Sequence, residues 1–259
     1  MRREPARRLR SRPPGSLNRG SAAPAVTRLE RTAWPDVSRR ARGHEILLVP
    51  LGSTEQHGPH LPVTTDTDIA LAIADRAAAR HRQLLVAPPV AYGSSGEHQD
   101  FAGTLSVGQE ATELLLVELG RSASVHFAHV IVVSAHGGNA LPLARAMERL
   151  AGEGCPVVAW SPSWEGDLHA GRTETSLMLA IAPGRVAIDR AEAGDPRPID
   201  ILLPLLRDRG VRSVSANGVL GDPAGSGAAE GRRLLDGAVD DLVRTAERLG
   251  CLDVSGVTG

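Results

Sequence analysis

Four short apolar runs, separated by stretches of helical periodicity, constrain the fold of this chain more than any other feature. Each run is continuous, as is typical of strands buried on both faces of a parallel sheet. Their alternation with helices predicts an α/β fold in which a mostly parallel sheet is covered on both sides. The predicted strands are residues 46–49, 84–90, 130–134 and 156–160, and the predicted helices are residues 68–80, 109–127, 140–153, 175–181, 199–208 and 228–249.

Two details of the helices can be predicted from local sequence. We expect the first long helix to be capped by Thr67 or Asp68, since Thr and Asp are good N-cap residues. On the helix over residues 109–127 we expect the apolar side chains to face the sheet. Those side chains are Leu114, Leu115, Val117 and Leu119.

The first 43 residues differ from the rest of the chain. Six Arg residues crowd positions 2–12, and a Pro/Gly-containing stretch without an apolar core follows, so this is no secretory signal. We predict a disordered extension or an over-long start over 1–43, with a short helix within 29–40 that docks onto the domain; a targeting peptide or an RNA-binding arm is the alternative. Deleting residues 1–40 should then leave activity and solubility intact. Residues 44–252 should form one domain.

Composition excludes several classes of function. The net charge of −1 gives no argument for nucleic acid or for an anionic membrane surface, and no apolar run approaches the roughly 20 residues that span a bilayer. All 29 basic residues are Arg, which excludes the chemistry of Schiff-base and P-loop lysines. Cys155 and Cys251 lie far apart and are expected to be reduced thiols. We expect a cytoplasmic protein with neither nucleic acid nor membrane as partner.

The loop after the first apolar run concentrates acid and imidazole side chains. It reads L-G-S-T-E-Q-H-G-P-H-L-P-V-T-T-D-T-D over residues 51–68, and its Pro and Gly residues favour turns. In a parallel sheet such a loop lies at the edge where ligands bind. A mixture of carboxylate and imidazole suits zinc, iron or manganese. The ligand candidates in this loop are Glu55, His57, His60, Asp66 and Asp68.

Three further clusters follow the other apolar runs. Glu97 and His98 lie after the second, His136 after the third, and His169 and Glu174 after the fourth. Strand ends of a parallel sheet lie along one edge, so these residues should converge. The remaining histidines have no acidic partner in a Gly-rich loop and are expected to be surface or hydrogen-bonded residues. They are His44, His81, His126 and His129.

This set of residues indicates metal-assisted hydrolysis. Glu55 and His57 are two positions apart and can bind neighbouring metal ions, and the two oxygens of Asp66 can bridge those ions. Two adjacent metal ions would activate water and polarise a carbonyl group. His169, outside that ligand set, would serve as general acid or base. Gly137 and Gly138 after His136 would leave room for a substrate. The residues that line a substrate pocket, or simply pack beside it, are Tyr92, Ser95, His98, Phe101 and Trp164.

Five motifs in order resemble the creatininase (creatinine amidohydrolase) family. They are L-G-S-T-E-Q-H-G-P-H-L-P-V-T-T-D, Y-G-S-S-G-E-H, A-H-G-G-N, H-A-G-R-T-E-T-S and G-V-L-G-D-P, and the resemblance covers residues 45–249. It implies a three-layer α/β/α domain, often a hexamer, with a dinuclear metal site that hydrolyses amide-type C–N bonds. By position, the residues that match the family's metal ligands are Glu55, His57, Asp66, which matches the bridging ligand, and His136.

The resemblance also assigns the remaining site residues. Creatininase has a glutamate where this chain has Gly138, which argues against creatinine as the substrate. Glu174 is then the candidate to complete the metal shell, and His169 resembles the family's catalytic histidine. The implied cofactors are two divalent ions, zinc or iron(II), with manganese as a further option. The implied assembly is a homo-oligomer, a hexamer by resemblance.

Within the family, the wording of R-T-E-T-S-L-M-L-A-I-A-P and Y-G-S-S-G-E-H-Q-D-F-A-G-T resembles the peptidase branch that serves mycofactocin biosynthesis. That resemblance implies a short modified precursor peptide as substrate and release of its C-terminal Val-Tyr dipeptide. Many relatives read F-P-G-T where this chain has Phe101-Ala102-Gly103-Thr104, a change that removes no reactive group. The alternatives are hydrolysis of a small cyclic or formyl amide, and a metal-binding scaffold without catalysis.

Overall fold

A computed structural model describes residues 27–41, 45–164, 166–167 and 169–250. At its centre lies a parallel sheet in the strand order β2-β1-β3-β4. The strands are β1 Ile46–Leu51, β2 Leu84–Val86, β3 His129–Ser134 and β4 Val157–Trp160. The α/β class and the parallel sheet predicted from the sequence are therefore confirmed.

Helices cover both faces of this sheet, which gives three layers. They are α1 Trp34–Ala41, α2 Thr65–Arg80, α3 Gly108–Ser124, α4 Ala140–Gly152, α5 Arg172–Ile181, α6 Ile199–Arg209 and α7 Ala228–Arg248. Successive side chains of a strand point to opposite faces. In β1, Ile46 and Leu48 therefore pack on the side of α2, α5 and α7, whereas Leu47 and Val49 pack on the side of α3 and α4. Both faces are apolar, which is why β1 reads as a continuous apolar run.

Two helices begin three residues before their predicted starts, and both shifts matter for the site. Helix α2 begins at Thr65 rather than Asp68, and α5 begins at Arg172 rather than Thr175. Asp66 and Glu174 therefore lie in first helical turns, where the helix dipole favours a negative charge. Strand β2 is shorter than predicted, since it ends before Pro88 and Pro89 and a proline has no N–H for the ladder.

The predicted inner face of α3 is wrong for three of its four residues. Leu114, Leu115 and Leu119 are 53%, 38% and 38% exposed, whereas Val117 is buried. The inward stripe instead includes Thr112, Leu116 and Gly120, each four residues from the next. A Cβ on Gly120 would stand 2.6 Å from a methyl carbon of Leu150, so the absence of a side chain lets α4 approach closely.

Residues 27–41, part of the predicted extension, lie against the domain. The carbonyl of Thr27 accepts a hydrogen bond from the N–H of Val86 at the end of β2, and Arg28 pairs with Asp75 of α2. Leu29, Val37 and Ala41 pack against the core on the α3 side of the sheet. Only part of the short helix predicted over residues 29–40 is α-helical: Leu29–Arg31 form a 3-10 turn, and α1 covers Trp34–Ala41.

Some predictions fall on residues that the structure does not describe. These are the first 26 residues and residues 42–44, His44 among them, and Cys251. Across the described ranges, no helix is both long and apolar enough to cross a membrane.

Candidate metal centre

Acid and imidazole side chains from four strand ends meet at the carboxyl edge of the sheet. Loops after β1, β2, β3 and β4 supply the histidines, and the first turns of α2 and α5 supply two of the carboxylates. Every histidine of the group is at most 8% exposed. We call this group the central cluster; it consists of Glu55, His57, Asp66, His98, His136, His169 and Glu174.

Asp66 lies at the middle of the central cluster. Its Oδ1 is 3.1 Å from His57 Nε2, and its Oδ2 is 3.2 Å from His136 Nδ1. Ser53 Oγ donates a hydrogen bond of 2.6 Å to the same Oδ2. Each carboxylate oxygen therefore faces a different imidazole.

Three histidines of the cluster are oriented by backbone carbonyls. His57 Nδ1 is 3.1 Å from the Glu55 carbonyl, His136 Nε2 is 2.8 Å from the Ser94 carbonyl, and His169 Nε2 is 2.8 Å from the Gln56 carbonyl. A carbonyl only accepts, so in each neutral ring this nitrogen carries the proton and the other has a free lone pair. In the neutral rings the free nitrogens of His57 and His136 would face Asp66, and the free nitrogen of His169 faces Glu55. Metal-binding histidines are held in this way.

Glu55 is buried without a hydrogen-bond partner for either carboxylate oxygen among the described residues. Imidazole nitrogens of His136, His98 and His169 lie 3.1, 3.4 and 3.6 Å from it. An unpartnered buried carboxylate is costly unless it coordinates a metal or is paired. Glu55, His57 and Asp66 have ligand atoms within 4.8 Å of one another, and so do His57, His169 and Glu174. The donor set thus fits adjacent divalent ions.

Glu174 joins the cluster through a strained turn. Its Oε2 lies 3.9 Å from His57 Nε2 and accepts a 2.6 Å hydrogen bond from the N–H of Ala170. Ala170 has φ of 54°, the left-handed region that residues other than glycine rarely adopt. The turn presents His169 and Glu174 to the same space, and strain of this kind concentrates at functional sites.

The charges of the cluster are strongly coupled. Burial by itself lowers the pKa of His57, but Asp66 and then Glu174 raise it to about 10. Burial likewise opposes the charge on His136, whose pKa Glu55 and Asp66 raise to about 10. Burial raises the pKa of Glu55 to about 7, whereas His57 and His136 overcome burial and hold the pKa of Asp66 well below its usual value. Protonated imidazoles here balance the carboxylates where cations would otherwise do so.

The other two histidines are neutral. Burial, followed by the charge on His57, lowers the pKa of His98 to about 3 and the pKa of His169 well below its usual value. Both rings therefore stay neutral near neutral pH, each with a proton on one nitrogen and a lone pair on the other.

Gly138 does not leave room for a substrate, contrary to the sequence prediction. A Cβ there would overlap the Ser94 carbonyl and the His136 ring and stand 2.6 Å from Glu97 Oε1. The loop after β2 fills this space. Gly137, by contrast, has open space beside it.

The predicted substrate-lining residues are dispersed. Ser95 is buried with its Oγ 3.3 Å from His136 Nε2, and His98 belongs to the central cluster. Tyr92 is half exposed. Trp164 lines, with Trp160, a cavity of about 450 Å³ between the end of β4 and α7, and no residue of the central cluster lines that cavity.

Three functional candidates were not predicted from the sequence. Ser53 donates a hydrogen bond to Asp66, and Gln56 contacts His98 and His169. Asn139 connects two loops, because its side-chain amide accepts a hydrogen bond from Ser94 N–H and donates one to the Gly52 carbonyl. The available signal was position alone, because Gln56 stands between two predicted ligands and Asn139 closes the A-H-G-G-N motif.

Comparison with known proteins identifies the relatives of this architecture. Residues 30–246 match the Creatininase family, described as creatinine amidohydrolase. A mycofactocin precursor peptide peptidase of Mycobacterium ulcerans is 50% identical over 227 residues, which cover 84% of this chain and 86% of that protein. The peptidase of the same name from Mycobacterium tuberculosis (strain H37Rv) is 49% identical over 213 residues, 78% of this chain and 84% of that protein. A manganese creatininase structure superimposes with a TM-score of 0.75 at 23% identity and covers 86% of this chain and 98% of its own.

Proposed function

Because the chain belongs to the creatininase family of metal-dependent amidohydrolases, we propose that it is a metal-dependent peptidase of mycofactocin biosynthesis. Its substrate would be the modified precursor peptide, from which it hydrolyses one peptide bond to release the C-terminal Val-Tyr dipeptide. The observation that carries this proposal is the similarity to two peptidases of that name, near 50% identity over more than four fifths of their lengths.

The geometry of the central cluster supports the hydrolytic part of the proposal. Glu55, Asp66 and His136 would hold one divalent ion and His57, Asp66 and Glu174 a second, with Asp66 shared between them. Two such ions would polarise the scissile carbonyl and lower the pKa of the attacking water. We propose zinc or iron(II), with manganese as a further option, since mixed His/carboxylate sites accept all three.

His169 is the proposed proton carrier. Its Nε2–H is held by the Gln56 carbonyl, so the Nδ1 lone pair, 3.6 Å from Glu55 Oε1, faces the reacting groups. Nδ1 would accept a proton from water as the water oxygen bonds to the carbonyl carbon. It would return that proton to the amine nitrogen as the C–N bond breaks.

Location and assembly complete the proposal. We propose a cytoplasmic homo-oligomer, a hexamer by family resemblance, that acts on a short peptide and on neither nucleic acid nor membrane. Analytical ultracentrifugation of the metal-loaded protein tests the assembly, and a sharp monomer peak would contradict it.

Mass spectrometry of the metal-loaded protein incubated with the decarboxylated precursor peptide tests the reaction. We expect Val-Tyr to appear, to be lost on addition of a chelator and to return when zinc or iron(II) is restored. A matched peptide whose Val nitrogen is methylated controls for cleavage at other bonds. Absence of cleavage, with metal demonstrably bound, would contradict the peptidase proposal and favour a small-amide substrate.

A further inference from the structure

The side-chain amide of Gln56 is locked in one orientation at the rim of the central cluster. Its Oε1 accepts a 2.8 Å hydrogen bond from the N–H of Gly58, and its Nε2 donates a 3.0 Å hydrogen bond to the carbonyl of Gly218. A backbone N–H only donates and a backbone carbonyl only accepts, so exchanging the amide oxygen and nitrogen would break both bonds. Gly218, with φ of 81°, has no side chain, and a Cβ there would overlap this amide.

This orientation fixes the tautomer of His98. Gln56 Nε2 lies 2.8 Å from His98 Nδ1. Because the amide nitrogen is a donor, Nδ1 must be the acceptor, and the ring proton must lie on Nε2. His98 Nε2–H is therefore directed at Glu55 Oε1, at 3.4 Å, which is longer than an ordinary N–H···O hydrogen bond. The buried His98 ring thus presents a weakly engaged donor to the cluster.

The same residue fixes His169 in the complementary state. His169 Nε2 lies 3.1 Å from Gln56 Nε2 and 2.8 Å from the backbone carbonyl of Gln56. Because Gly218 and His98 use the two amide protons of Gln56 and the carbonyl only accepts, His169 Nε2 carries the ring proton and donates it to the carbonyl. Its free lone pair is on Nδ1, which faces Glu55 Oε1. The rings of His98 and His169 lie 4.4 Å apart, and the nitrogen nearest Glu55 Oε1 carries a proton in His98 and a lone pair in His169.

We propose that Gln56 is a positioning residue that sets these opposite tautomers, and that His98 Nε2–H is a catalytic hydrogen-bond donor to the scissile carbonyl oxygen. The inference deepens the proposed function and rests on it. As the water oxygen bonds to the carbonyl carbon, the π pair moves to the carbonyl oxygen and a proton passes to His169. When the carbonyl re-forms, the C–N bond breaks and the amine takes that proton. His98 stabilises the charged oxygen throughout and keeps its own proton.

This tautomer also separates His98 from the metal ligands. Its Nε2 lies 3.4 Å from Glu55 Oε1, and His98, Glu55 and His169 have ligand atoms within 4.8 Å of one another, a spacing that by itself would admit a cation. A nitrogen that carries a proton has no lone pair to give, so His98 acts as a donor rather than as a ligand.

A comparison of Gln56→Glu with Gln99→Glu in zinc-loaded protein tests the tautomer of His98. Both variants exchange an amide for a carboxylate, but Gln99 is exposed and adjoins His98 only along the chain. Nitrogen NMR of ring-labelled histidines, assigned with His98→Phe, reports which ring nitrogen is protonated. We expect the Nε2–H form of His98 in the parent and in Gln99→Glu. In Gln56→Glu we expect an Nδ1–H signal, because a carboxylate there can only accept. A parent protein with His98 Nδ1–H would overturn the inference.

Kinetics with the precursor peptide separate catalysis from folding. We expect Gln56→Glu and His98→Phe each to lower kcat by about 10²–10³-fold, the usual loss of one oxyanion donor, with KM within about threefold. Should Gln56→Glu fail to fold, His98→Phe carries the test. Parent-like kcat in His98→Phe would overturn the catalytic role. If the parent protein does not cleave the peptide, the proposed function is wrong. The NMR spectrum of His98 then still tests the tautomer assignment independently of activity.

Discussion

Asp66 shows how one buried side chain sets the electrostatics of the central cluster. The dipole of α2 favours its charge in the first helical turn, and each of its oxygens faces one histidine. The pKa values of His57 and His136 are both raised by this carboxylate, so the two rings are linked through it.

Replacing Asp66 with Asn should lower both histidine pKa values in the metal-free protein. The amide keeps the shape but removes the charge that opposes burial, so we expect each pKa to fall from about 10 by at least about one pH unit, ~1.4 kcal/mol. Histidine NMR titration measures this. Asp68→Asn is the matched control, because that carboxylate pairs with Arg185 and Thr64 instead. Equal titration in both variants would contradict the assignment.

Metal binding should release protons from the same two histidines. At about pH 8.5 Glu55, with a pKa of about 7, is already ionised, whereas His57 and His136 are still protonated. Each ring must lose its proton to bind a cation, so we expect about two protons released and metal affinity that rises with pH up to about 10.

In the metal-free protein the raised pKa values stabilise the fold fully below about pH 6.5, and this contribution is lost as the pH rises through about 10.

Calorimetry of zinc binding in buffers of different ionisation enthalpy counts the released protons. Binding heats that do not depend on the buffer would contradict protonated histidines at the site.

At the scale of elements, the apolar pattern predicted every strand and every long helix, but it did not locate the starts of α2 and α5. Asp66 and Glu174 precede the apolar residues of their helices. The apolar periodicity therefore begins after these two residues, whereas the helices themselves begin before them. The buried face of α3 was misjudged for a similar reason. Helix α3 has more leucines than its buried face can accommodate. The face that meets α4 is set by the small residue Gly120 and not by the number of leucines.

Helices α5 and α7 pack so closely that two glycines of α7 should respond oppositely to alanine. A Cβ on Gly231 would overlap the carbonyl of Ser176 in α5, whereas a Cβ on Gly237 meets nothing within 4 Å. We expect Gly231→Ala to lower the free energy of unfolding by about 1–3 kcal/mol through overpacking. Gly237→Ala should raise it by up to about 1 kcal/mol through helix propensity.

Urea unfolding monitored by circular dichroism measures both changes. A Gly231→Ala protein as stable as the parent would show that α7 can move away from α5 at no cost.

At the scale of the whole molecule, parallel topology explains why the convergence of the central cluster could be predicted from sequence. Residues far apart in sequence converge because all four strands end at one edge, so Glu55, His136 and Glu174 could be grouped from the order of strands and loops along the chain. Ring orientations could not be predicted in this way. The tautomers of His98 and His169 depend on Gln56 and on the carbonyl of Gly218, a contact across 162 positions that no local pattern encodes.

The N-terminal segment has a structural role that its sequence does not reveal. Residues 27–41 supply the carbonyl partner of Val86 N–H, the ion pair between Arg28 and Asp75, and apolar cover from Leu29 and Val37. Deleting residues 1–26 should leave the unfolding midpoint unchanged. Deleting residues 1–43 should lower the free energy of unfolding by about 2–5 kcal/mol, from lost apolar burial and one hydrogen bond.

Urea unfolding of the two truncated proteins beside the full chain tests this difference, with zinc stoichiometry as a second measurement. We expect both proteins to bind zinc at saturation, because none of the proposed ligands lies in residues 1–43. Contrary to the expectation from sequence that residues 1–40 are dispensable for solubility, the longer deletion should also expose apolar surface on the α3 side of the sheet and reduce solubility. Equal unfolding midpoints for the two truncations would show that residues 27–41 are dispensable and that the whole of 1–43 behaves as an extension.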